Sequence, residues 1–476
     1  MPSALARYFS EFRVVRHLSR DFWLANLIQF FDGLAYFSMI NVITLYLTVN
    51  VGFNDVDSGA WVGIFTLYIT AFLFAVGSIC DAIGIKRSYY IAIAILATSR
   101  LGLGLAPEFL HGETLQMAVK GLIILMALGQ SFIVPVTYTA LRRFTGRETR
   151  ATAFNIYYLI MNLGAMLAGI VVIDGFRRAY GDVFGNLAIL DFGFTMSLCT
   201  LACVLFIRED NWADSSDREA AAGEVKRPLA IFLDVWREAE FRKLVLFLLL
   251  TLGVRLVFTH QFLVAPKYYT RVLYSDFSLG AINSINPFLI VIGLIVIIPL
   301  VNRFATIKLI VIGMAISAAS LLFMAVPLEW ILALPGIHNV TQAYLFIILA
   351  QIVVFAVGEL LFSPRFTEYV ASIAPPDKVS SYMALSALPL FIAKPVNGYV
   401  SGLLISNYCY DGIRAKIDTG NIAYAHSPEF MWMIYLIPAA LSPILVLTCR
   451  RFIMARPVSA RTVAEPAVPV VEGEAV

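Results

Sequence analysis

The sequence predicts an all-α membrane protein of twelve transmembrane helices arranged as two six-helix bundles. Three observations predict it. Of 476 residues, 60% are apolar and only 14% are charged, whereas soluble domains carry about a quarter charged residues. A bilayer core of about 30 Å needs roughly 20 apolar residues of helix, and twelve stretches of that kind follow one another along the chain. The longest polar stretch, residues 208–242, falls between the sixth and the seventh.

Taken in order, residues 1–22 form a basic amino-terminal segment with Arg7, Arg13, Arg16 and Arg20. The first bundle, 23–207, holds spans near 23–50, 60–80, 88–106, 115–140, 152–173 and 186–207. The linker 208–242 ends in an amphipathic pattern, with Ile231, Phe232, Val235 and Trp236 at helical spacing between charges, which predicts an interfacial helix. The second bundle, 243–452, holds spans near 243–265, 277–302, 306–328, 341–364, 380–405 and 429–450. Residues 453–476, rich in Pro, Ala and Val without period, read as a disordered tail. Lys and Arg favour the loops on the amino-terminal side by roughly four to one, which predicts cytoplasmic termini. The expected setting is a plasma membrane, such as a bacterial inner membrane.

A net charge of +3 with no basic face excludes a nucleic-acid footprint. The five cysteines, Cys80, Cys199, Cys203, Cys409 and Cys449, show no pairing rhythm and read as small packing residues. The basic amino terminus lacks the apolar core and cleavage site of a signal peptide. No nucleophile elbow, zinc-protease motif, phosphate loop or Cys/His metal spacing is present. An enzyme is therefore not expected, nor a cofactor or a metal. Without a phosphate loop, movement of a solute is expected to draw on an ion or solute gradient. The expected partners are the lipid bilayer and a small solute, and the expected state is a monomer.

The loop after the second span reads Gly77-Ser-Ile-Cys-Asp81-Ala-Ile-Gly84-Ile-Lys86-Arg87. It resembles the major facilitator signature G-x-x-x-D-x-x-G-x-[KR]-[KR]. Its glycines permit a tight turn and Asp81 can cap or pair across a seam. Four further stretches resemble the proton-dependent oligopeptide transporter family. Phe154-Asn-Ile-Tyr157-Tyr158-Leu-Ile-Met161-Asn162-Leu-Gly164-Ala165 is similar to the family's helix 5 pattern F-Y-x-x-I-N-x-G-S. Ser284-Ile-Asn286-Pro287-Phe288 is similar to its helix 8 Q-S-x-N-P. Gly358-Glu359-Leu-Leu-Phe-Ser363-Pro364, followed by Ala374-Pro375, resembles its helix 10. Phe30-Phe-Asp32-Gly33-Leu-Ala-Tyr36-Phe-Ser-Met39 with Leu45-Tyr46-Leu47 stands where helix 1 has E-R-F-x-Y-Y-G-M…L-Y-L. The resemblance runs over roughly residues 23 to 452 and implies the major facilitator fold with alternating access.

The departures are informative. Helix 1 of the family reads E-x-x-E-R, and here it reads Gln29-Phe-Phe-Asp32-Gly33; the lysine before the helix 4 proline is Val134. These positions belong to the family's proton coupling and its grip on a peptide carboxylate. Arg255 in the seventh span and Lys394 in the eleventh are cations on the other half that can take their place.

A charge at mid-bilayer costs a few kcal/mol and tends to face a cavity. Glu359, by resemblance, stands at the acidic position that meets a peptide's amine. Asp32 is a candidate proton acceptor, and a charge swap predicts that it pairs with Arg255, as Lys394 would with Glu359. Asn162 and Asn286 offer amides to a peptide backbone, while Tyr36, Tyr158 and Phe288 offer flat walls. The proton-coupling or gating set is then Asp32, Glu359, Arg255, Lys394 and Asp81. Arg100 and Asp191 each read as a member of some structural pair, and His260 as a bonded histidine, with a pH-sensing gate as its sharper alternative.

The reading that follows is a proton-coupled transporter of a small peptide or peptide-like solute. One rival keeps the fold but is a transporter or exporter of a non-peptide amine or hydrophobic compound. Another is a non-transporting membrane receptor, with its intramembrane charges all satisfied in a dry bundle.

Overall fold

A computed structural model describes residues 18–146, 149–210, 213, 239–273, 277–296, 304–373 and 388–453. Every regular element among them is helical. The first half comprises α1 (Arg20–Val49), α2 (Asp55–Ile83), α3 (Ile85–Phe109), α4 (Gly112–Arg143), α5 (Arg150–Leu167) and α6 (Asp174–Phe206). The second comprises α7 (Ala239–Leu250), α8 (Leu252–Leu263), α9 (Ala265–Leu273), α10 (Leu279–Val296), α11 (Thr306–Ala325), α12 (Val340–Ile373), α13 (Leu388–Tyr408), α14 (Ile413–Asp418) and α15 (Pro428–Thr448). Nine stretches among the described residues are long and apolar enough to cross a membrane. One of them, Ile156–Phe206, is 51 residues long and makes two crossings. A π-helical turn, Ala168–Ile173, joins α5 to α6, and the chain reverses inside α6 at Gly181, whose φ is 73°. With the broken α7–α8 and the Pro395-containing α13, the twelve expected crossings are complete. The seventh is not the single helix expected over 243–265: it breaks at Thr251 and Val264, and α9 carries it beyond the crossing.

Some of the crossings start on a side-chain cap. The Ser19 hydroxyl accepts from the Phe22 amide at 3.2 Å, and the Asn54 side chain accepts from the Asp57 amide at 2.8 Å. Between α2 and α3 the signature turn is made by Gly84, at φ 88°. The first amide of α3, on Ile85, donates to the Glu209 carboxylate at 2.7 Å, and a side chain at Gly84 would collide with that carboxylate. Lys86 donates to the carbonyls of Leu205 at 3.1 Å and Ile207 at 3.3 Å, at the end of α6. The Asp81 side chain, the expected interfacial helix over 231–238 and all but the first residue of the expected tail lie outside the described residues.

Within the first half α1 packs on α6, α3 on α4 and α6, and α2 on α4. Within the second, α11 packs on α12 and α15, and α10 on α12. Two seams join the halves: α2 against α13, and α5 with its π turn against α10. At the first seam backbone meets backbone, since a Cβ on Gly59 would lie 2.5 Å from the Gly398 carbonyl. These contacts gather toward the face opposite the chain's amino terminus, called distal below.

Candidate functional site

Polar side chains meet at three places along the seam, and each arises from a different element pair. At the first, Glu359 projects from α12 and its Oε2 accepts from Asn286 Nδ2 of α10 at 3.0 Å. Pro287 and Pro364 lie inside these two helices, where each removes a backbone donor. Tyr158 of α5 sits within electrostatic range of Glu359. Asn162, one turn on, donates to the Tyr158 carbonyl at 2.9 Å. Phe288 follows Pro287 with 48% of its surface open. Thus Tyr158, Asn286 and Glu359 come together from three crossings and both halves, with Asn162 beside them.

At the second place, Arg255 of α8 lies with its guanidinium carbon 4.3 Å from the centre of the Phe366 ring. Lys394 of α13 donates across the seam to the Thr70 hydroxyl of α2 at 3.2 Å. The two cations are within electrostatic range of each other. No carboxylate among the described residues lies at ion-pairing distance from either. The pairing of Glu359 with Lys394 expected from the sequence is therefore not formed: the carboxylate is held by Asn286 and the ammonium by Thr70.

The expected charge swap between Asp32 and Arg255 is also absent. Asp32 Oδ1 is 2.7 Å from Arg100 Nη2, and its Oδ2 accepts from Gln130 Nε2 at 3.0 Å. Arg100 also donates to the Ser197 hydroxyl at 2.8 Å. Arg100 and Asp32 are 2% and 3% exposed, so the pair is sealed inside the first half, among α1, α3, α4 and α6. Tyr36 lies one turn beyond Asp32, half-buried, its ring 5.4 Å from that of Phe37. Asp191 does not partner Arg100; its Oδ1 is buried against Gly104. His260 is bonded, as expected: its Nε2 lies 3.3 Å from Asn397 Oδ1 and its ring centre 3.9 Å from that of Tyr435.

The third place escaped the sequence reading. At the distal face Asp55, the first residue of α2, takes Lys267 Nζ at 2.8 Å and Arg271 Nη1 at 2.8 Å, both from α9 in the opposite half. Arg271 extends the chain to Asp411 at 2.8 Å and the Cys409 carbonyl at 2.8 Å. Lys267 also donates to Ser58 at 3.0 Å. Burial pulls the Lys267 ammonium down from 10.5 to about 8, against the pull of Asp55. A second distal clasp is Asp174, which accepts from the amides of Gly280 at 2.7 Å and Ala281 at 2.9 Å and from the Ser278 hydroxyl. One half thus caps the amino-terminal end of a helix in the other. The available signal was a pair of acidic residues near span ends, Asp55 and Asp174, each lying far in sequence from its partners.

The described geometry agrees with what the chain is similar to. The model of the Major Facilitator Superfamily matches residues 25–410. No curated protein sequence matches significantly. Among solved structures, a bacterial homologue of the human drug peptide transporters PepT1 and PepT2 superposes with a TM-score of 0.65 at 16% identity, over 91% of this chain and 98% of that one. An auto-inhibited POT family peptide transporter gives 0.67 at 15% identity, over 93% and 98%. Tetrameric PepTSo2 gives 0.63 at 15% identity, over 91% and 96%. At such identities the likeness concerns the fold, which is the one expected from the sequence. The family match covers most of the chain and coincides with the two-bundle architecture, so this chain belongs to the Major Facilitator Superfamily.

Proposed function

We propose that this chain carries a small peptide or peptide-like solute across the membrane by alternating access, coupled to protons. The observation that carries the reading is the separation of two poles at the seam. One is the Glu359 carboxylate with Asn286 and Tyr158; the other is Arg255 with Lys394, free of any carboxylate among the described residues. Arg255 stacks on Phe366, seven residues after Glu359 on α12, which is roughly 10 Å along a helix rising 1.5 Å per residue. An extended peptide advances about 3.5 Å per residue, so two or three residues bridge the poles, amine toward Glu359 and carboxylate toward the cations. Asn162 and Asn286 stand where a peptide backbone would pass.

The coupling follows from competition. A proton on Glu359 and a bound ammonium neutralise the same carboxylate, and each favours the conformation in which that carboxylate is reachable. The two distal clasps are closed, so the state described is sealed on the distal face, and the halves would rock about the seam to expose it. The Lys and Arg bias supports cytoplasmic termini. Solved structures of the same fold include peptide transporters, which supports the peptide class. Against a non-transporting receptor stand Arg255 and Lys394, which a dry bundle built only for stability would pair.

Uptake of labelled dialanine into proteoliposomes under an inward proton gradient tests this. Accumulation that collapses with a protonophore and is lost in Glu359→Gln is expected. Absence of uptake across a panel of di- and tripeptides would turn the reading toward a different amine or an apolar cargo.

A further inference from the structure

We infer that the preferred cargo carries two anionic groups at its carboxyl end, as in a peptide whose last residue is Asp or Glu. The inference rests on the transport reading above and narrows its substrate class. Among the described residues, three cations at helix contacts are neutralised: Arg100 has Asp32, and Lys267 and Arg271 share Asp55. Arg255 and Lys394 depart from that habit together, in adjacent crossings. Arg255 has an aromatic ring and Lys394 a hydroxyl, and neither has a carboxylate among the described residues. An unpaired cation in the bilayer interior is costly, and two of like sign near each other are costlier.

Charge matching then fixes what the cargo must bring. The two poles together hold two cations and one carboxylate, Glu359. A neutral zwitterionic peptide supplies one ammonium and one carboxylate, which match Glu359 and a single cation, leaving the other bare. A peptide ending in an acidic residue supplies one ammonium and two carboxylates a few ångström apart, and all the charges are met. The planar guanidinium of Arg255 suits the bidentate grip on the terminal carboxylate, and the compact ammonium of Lys394 suits the side-chain carboxylate.

The test uses the full chain in lipid nanodiscs at neutral pH, titrated with Ala-Glu and with its uncharged isostere Ala-Gln. Ala-Glu is expected to bind about tenfold more tightly or better, the worth of one charge-assisted hydrogen bond. Lys394→Gln is expected to bring the two affinities together. Equal affinities, or a preference for Ala-Gln, in the unmodified protein overturn the inference while leaving peptide transport standing. A well-folded Lys394→Gln that keeps the full preference also overturns it. Binding of neither peptide overturns the peptide reading and the inference with it. Should the variant fail to fold, the ratio in the unmodified protein decides alone.

Discussion

Intramembrane charge is paired in one place and, among the described residues, unpaired in another, and single substitutions separate the two. Asp32 and Arg100 form a sealed pair whose worth lies in holding α1, α3, α4 and α6 together. Removing one member of a buried pair leaves the other uncompensated, at a cost of about 3–5 kcal/mol. Asp32→Asn is therefore expected to lower the melting temperature sharply, read by thermal unfolding of the solubilised protein. Lys394 has no such partner among the described residues and stands near Arg255. Lys394→Met relieves that repulsion and the burial of an ammonium, so its melting temperature should match or exceed that of the unmodified protein while the preference for Ala-Glu over Ala-Gln is lost. A Lys394→Met protein as unstable as Asp32→Asn would show that Lys394 is a structural cation.

At the scale of elements, the α2–α13 seam is a close-packed surface made by glycine. Gly59 and Gly398 bring backbones so close that a Cβ on Gly59 would sit 2.5 Å from a carbonyl oxygen. Gly59→Val should wedge this seam apart at the distal face without disturbing either half. In a background lacking the five native cysteines, Ser58→Cys reports the wedge. Ser58 is fully buried here, and its labelling by a membrane-impermeant maleimide should rise several-fold when Gly59→Val is added. Unchanged labelling would mean the seam closes by other contacts. The same seam shows what a sequence conveys and what it withholds. The crossings were legible because hydrocarbon demands about 20 apolar residues whatever the fold. Facing was not, because lipid-exposed and packed surfaces are both apolar, which erases the one-sided stripe that orients a helix in a soluble core. Hence Arg100 and Asp32, 68 residues apart, could not be matched, and Asp174 could not be assigned to the end of α10. Tyr158, Asn286 and Glu359 were singled out only through three short motifs on three spans; their charges and amides alone did not distinguish them from packing residues.

For the whole molecule, rocking of the halves as proposed would make the distal ion pairs a pH-dependent lock. In the closed state Lys267 is buried and its ammonium gives up its proton at about 8. Opening separates α2 from α9, hydrates Lys267 and returns it to the ordinary lysine range, near 10.4. Between those pH values the open state holds a proton that the closed state lacks. Stability of the state with fewer bound protons rises with pH, so this group favours distal closure as pH climbs from 8 toward 10 and has no effect below that window, where both states are protonated. The sign is opposite to the intuition that deprotonating a salt-bridged lysine opens its gate, because burial outweighs the attraction of Asp55. The same Ser58→Cys reporter, with labelling corrected for the thiol's own ionisation by a fully exposed control cysteine, should label less at pH 9.5 than at pH 7.5. Lys267→Met should flatten that difference, since the titrating group is gone while Arg271 still holds Asp55. A corrected labelling rate that rises with pH in the unmodified lock would show that attraction, not burial, governs Lys267, and that alkali opens the distal face.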